Sequence, residues 1–156
     1  MRYIKKYQIF ESNSEDEIVS DLEDIVLDIN DLSHWICQVR GGYSKSDVDG
    51  SRFTSMKNSV EDYSLYLRLN WKRMIRIRLS LDEDNNNYWN CYNTPPVVTE
   101  VFERAIDYMK MSGWKYYSIY LCTNGDQIED IKLEQIENFD ICQRESINII
   151  FTKEPV

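Results

Sequence analysis

The sequence predicts an α+β fold in which two amphipathic helices pack on one face of a mainly antiparallel sheet of four or five strands. Three observations predict it. Residues 14–32 and 94–113 each carry an apolar stripe at helical spacing. Residues 63–81 alternate apolar and polar side chains at period two. A last alternating run, Ile147, Ile149 and Phe151, lies near the end of the chain. The chain has 156 residues, 42% hydrophobic and 29% charged, which suits one domain over 1–156 with its own core. A ferredoxin-like arrangement is one option if residues 2–9 supply a first strand.

The elements follow in chain order. Ser14 and Glu17 form a capping box that opens the first helix. Ile18, Leu22, Ile25, Ile29 and Leu32 make its buried stripe, spaced 4, 3, 4 and 3. Trp35–Val39 reads as a strand. Residues 41–60 are polar, with Gly41 and Gly42 adjacent, and read as a long mobile loop. The alternation over 63–81 is too long for one strand and predicts a hairpin turning near Trp71. An odd loop would set Leu67 opposite Ile75 and Tyr66 opposite Arg76, keeping apolar residues on one face. Asparagine-rich residues 82–93 read as a loop. Thr94 and Pro95 read as the N-cap and first residue of the second helix, whose buried face is Val98, Val101, Phe102, Ala105, Tyr108 and Met109. Gly113 closes that helix. Tyr116–Cys122 reads as a strand, Asn124-Gly125 as a turn and residues 127–138 as a short helix.

Composition narrows the function. Twenty-seven acids against eighteen bases give a net charge of −9, which argues against direct binding to nucleic acid or to an anionic membrane. No apolar run is long enough to cross a bilayer, and the first ten residues lack the apolar stretch of a secretory signal. Five glycines and one histidine leave little material for phosphate-cradling loops or histidine chemistry. No nucleophile motif appears, so the expectation is a protein that is not an enzyme and carries no cofactor. A small enzyme with an undetected site is the alternative. His34 follows a helix end, where its charge suits the helix dipole. The four cysteines, Cys37, Cys91, Cys122 and Cys142, are far apart and form no close ligand pair, so no metal site is expected. They read as free thiols, which suits a reducing cytoplasm. Asp82-Glu83-Asp84 is rich in oxygen ligands but lacks the glycine and the closing Glu of a calcium loop.

Two charge patterns are candidate sites. Glu17, Asp21, Asp24, Asp28 and Asp31 repeat at helical spacing and form an acidic stripe without a lysine. That stripe could dock on a basic partner protein in the manner of a DNA mimic. Conversely, residues 52–78 hold seven bases and two acids. In the predicted hairpin Tyr66, Arg68, Arg76 and Arg78 share a polar solvent face, suited to a phosphorylated ligand. Pairing of the two faces between copies would give a homo-oligomer. Tyr88, Trp89 and Tyr92 form a third candidate, an aromatic contact loop.

The run Lys5-Lys6-Tyr7-Gln8-Ile9-Phe10-Glu11-Ser12 resembles the N-termini of small uncharacterised accessory proteins of large tailed phages. It also resembles the capsid-targeting peptides of their internal head proteins. The resemblance covers about a dozen residues. It implies a phage-encoded accessory protein that binds a host component, either a defence protein or a phosphorylated signalling ligand. It also implies an alternative, an internal virion protein cleaved after Glu11.

Overall fold

The computed structural model describes residues 14–43, 73–82, 91–123 and 127–155. The predicted class holds: the fold is α+β, with every strand pairing among the described residues antiparallel. Helix α1 spans Glu15–Ile25 and α2 spans Leu27–Asn30. Strand β1 is Trp35–Tyr43, β2 Met74–Leu81 and β3 Cys91–Asn93. Helix α3 is Pro96–Met111. Strand β4 is Tyr116–Thr123 and β5 Gln127–Ile131, followed by a 3-10 turn over Leu133–Asn138. Strand β6 is Asp140–Cys142 and β7 Ser146–Thr152. The main sheet runs β1-β2-β7-β4-β5, and β3 pairs with β6 in a small second sheet.

Period two places the sheet's two faces. Ile75, Ile77 and Leu79 of β2 meet Ile147, Ile149 and Phe151 of β7 and Ile119 and Leu121 of β4 on the face that receives the helices. Leu22, Ile29, Ile77, Phe102 and Ile149 are all fully buried there, as their stripes predict. Gly41 lets α1 approach β1: a Cβ there would lie 3.0 Å from Ile75 and 3.1 Å from Val19. Gly113, at φ +90, ends α3 in a Schellman turn, with Trp114 N donating to Met109 O at 2.9 Å and Gly113 N to Lys110 O.

Several expectations need correction. The first helix breaks at Val26, which takes the buried place expected for Ile25. Pro95, not Thr94, sits at the N-cap of α3, and Pro96 opens the helix. The Thr94 hydroxyl instead donates to the carbonyl of Ile136, tying the helix start to the 3-10 turn. Residues 127–131 are a strand because they complete the pairing of β4 beyond the turn, and only 133–138 are helical. Gly41 and Gly42 continue β1, where a loop was expected from residue 41. The predicted hairpin is overturned. Both sides of β2 are taken, Arg76 lying between Arg40 of β1 and Ile150 of β7, so Tyr66 is not its sheet neighbour. Two of the four expected free thiols are also overturned: Cys91 and Cys142 face each other across β3 and β6 and form a disulfide. Cys37 and Cys122 stand outside any disulfide, and the Cys91–Cys142 bridge does not suit the reducing compartment expected from four thiols. Residues 2–9, the cleavage point after Glu11 and the turn at 124–125 lie outside the described residues, as does most of 41–60.

Candidate functional site: an acidic helical layer

Each helix buries one face in the core and turns the other outward. On α1 and α2 the outward residues include Asp16, Glu17, Glu23, Asp24 and Asp28, with Asp31 just beyond, all exposed. On α3 they are Glu100, Glu103 and Asp107, also exposed. Segments 15–32 and 96–111 together hold eleven acids and two bases, leaving sixteen of each in the rest of the chain. The whole net charge of −9 therefore belongs to this helical layer.

The stripe that the sequence predicts is split by the packing. Asp21 is half-buried and accepts from the Tyr108 hydroxyl at 2.6 Å. Asp28 accepts from Arg104 Nη2 at 2.8 Å. Asp21 and Asp28 are seven residues apart, two helical turns, and Arg104 and Tyr108 are four apart, so the two pairs stitch the first helical segment to α3. These contacts offset part of the repulsion between like charges along the stripe. Glu17, Asp24 and Asp31 stay on the exposed surface. Both cations of the layer are engaged: Arg104 by Asp28, and Lys110, whose Nζ lies 5.7 Å from the Tyr117 ring centre. At the start of α1, Glu15 pairs with Arg73. Sequence reasoning missed Glu100, Glu103 and Asp107. Their spacing of three and four was a legible signal that they share a face.

The arginine site is different from its prediction. Arg76 does lie on the sheet face turned away from the helices, but it is only 1% exposed. Its Nη1 donates to Asn148 Oδ1 at 3.3 Å, and Asn148 Nδ2 donates to Ser146 Oγ at 2.9 Å. Ser80, Ser146, Asn148 and Thr152 on this face are also buried. Arg78 is half-buried and donates to Ser80 Oγ at 3.1 Å. The expected solvent face is thus a buried polar layer at Arg76, where hydrogen bonds replace hydration. Tyr66 and Arg68 lie outside the described residues. So do Tyr88 and Trp89, while Tyr92 is half-buried and stacks on His34, ring centres 4.6 Å apart.

A groove of about 350 Å³ runs between the first helical segment and β1, lined by Glu23, Val26, Leu27, Asn30 and residues 37–40. Beside it, Cys37 is buried, which pushes its thiol up to about 12 and keeps it protonated and inert near neutrality. Among the described residues no helix is long and apolar enough to cross a membrane. Comparison with protein-family models, with curated proteins and with solved structures found no match.

Proposed function

We propose that the chain is a non-enzymatic accessory protein of a tailed phage that binds a basic surface of a host protein. The observation that carries this reading is that the two helical segments hold the entire net charge of −9, with most of their acids on the outer faces. A fixed, like-signed surface steers a basic partner and repels acidic competitors. The similarity of residues 5–12 to phage N-termini supports the origin. A DNA-binding defence protein has the required basic surface. The alternative of a phosphorylated ligand on the arginine face is weakened by the burial of Arg76.

The test is capture from a bacterial host with the wild-type chain and with two variants. Replacing Asp24, Asp31, Glu103 and Asp107 with their amides should abolish capture of a basic protein and remove its salt sensitivity. Arg78→Gln should leave capture intact. Retained capture by the amide variant would overturn the reading. Thermal stabilisation by nucleotides that Arg78→Gln removes would favour the ligand alternative.

A further inference from the structure

Strand β1 is an outer strand of the five-stranded sheet among the described residues. The direction of its backbone groups can be read residue by residue. Asp82 N donates to His34 O at 2.9 Å, so the even-numbered residue bonds toward β2. Cys37 bonds the other way: its N donates to Asn30 Oδ1 at 2.7 Å, and Asn30 Nδ2 donates to its carbonyl at 3.0 Å. The pairing of 35–41 with 75–81 is regular, so Val39 and Gly41 share the outward direction of Cys37. The Asn30 carboxamide occupies the place that a neighbouring strand's peptide group would take at Cys37. At Val39 no described residue takes that place, and the groove lies alongside.

The groove also states what side chain would fit. Its helical wall presents Val26, the 51% exposed Leu27 and the carboxylate of Glu23, while the groove's one cation, Arg40, belongs to its strand side. A lysine or arginine matches this wall, its methylenes on Val26 and Leu27 and its charged head at Glu23. Exposed Asp24 and Asp31 extend the negative potential along the same helical segment.

We propose that the outer edge of β1 at Val39–Gly41 is a strand-addition site for an extended segment of a partner protein with lysine or arginine at alternate positions. Main-chain hydrogen bonds at Val39 and Gly41 hold the segment, and the groove selects the cation. This rests on the reading that the chain binds a basic protein, and names the element of the partner that docks.

The probe is a fluorescein-labelled peptide of four Thr-Lys repeats, blocked at both ends, followed by anisotropy at low salt. Val39→Pro removes an outward N–H, a change an edge strand accommodates, and it also alters a half-buried side chain packed on the core, so Val39→Ala, which keeps the N–H, is its control. Relative to Val39→Ala it should weaken binding about tenfold or more. The same peptide N-methylated at alternate residues should bind the wild-type chain no better than a Thr-Glu peptide, a test that needs no protein variant. Glu23→Gln should weaken binding and flatten its salt dependence. In hydrogen exchange the Val39 amide should be fast in the free protein and slowed by the Thr-Lys peptide. Equal binding by Val39→Pro and by the N-methylated peptide would overturn strand addition. If that binding still fell in the four-site amide variant, the acidic-layer reading would stand alone. No saturable binding up to about 1 mM peptide would also overturn the site. Loss of host-protein capture by the amide variant would in that case still uphold the broader reading, so the two can fail separately.

Discussion

Asn30 offers the sharpest probe of how the β1 edge is closed. Its carboxamide accepts from Cys37 N at 2.7 Å and donates to Cys37 O at 3.0 Å. Each such bond contributes about 0.5–1.5 kcal/mol net. The residue is exposed, so water can partly replace both bonds. Asn30→Ala should therefore cost about 1–2 kcal/mol, the lower part of the range for two bonds. Asn30→Asp is more informative. It keeps an acceptor for Cys37 N but sets a carboxylate oxygen against the Cys37 carbonyl. At pH 7 it should cost more than alanine, about 2–3 kcal/mol. The repulsion disfavours the charged form, so the folded pKa of the new Asp rises above its unfolded value of about 3.9. The folded state then binds more protons than the unfolded state through that window. Stability relative to wild type is therefore best below about pH 4 and falls as pH rises through the raised folded pKa. Urea titrations followed by tryptophan fluorescence are suitable, because Trp35 and Trp114 are both buried. An aspartate variant as stable as the alanine variant at pH 7, or a deficit unchanged at low pH, would refute the paired-amide geometry.

Other outcomes follow from the same structure. The Cys91–Cys142 bridge spans a separation of 51 residues, and losing that constraint on the unfolded chain costs up to about 4 kcal/mol. Cys91→Ser with Cys142→Ser should lower the urea midpoint accordingly, and the wild-type chain unfolded without reductant should show two reactive thiols, not four. With its thiol at about 12 and buried, Cys37 should resist N-ethylmaleimide at pH 8 in the folded protein and react on unfolding; rapid labelling in the native state would contradict its burial. Arg76→Ala removes a buried side chain and its hydrogen bond to Asn148, so it should cost about 3 kcal/mol or more. Arg78→Ala, half-buried, should cost distinctly less, and chemical denaturation of the pair reads the order directly.

The parts of the fold governed by local periodicity were legible in the amino-acid order alone. The stripe from Ile18 to Ile29 and the alternation over 75–81 and 147–151 each declare an element and its buried face. Gly113 declares a helix end, because its left-handed backbone favours glycine. Which strands meet is set by packing across the whole chain. An alternating strand has two equivalent edges, and nothing in residues 74–81 says that β1 and β7 take them. The burial of Arg76 followed from that central place in the sheet. Cysteine spacing likewise could not pair Cys91 with Cys142, because a disulfide depends on the distance between two strands that lie far apart in the chain. The acidic layer stands between these cases. Its charges were legible, but the division into Asp21 and Asp28, bound to α3, and Asp24 and Asp31, left on the surface, needed the helices packed together, since a carboxylate's partner lies across space and not along its own helix.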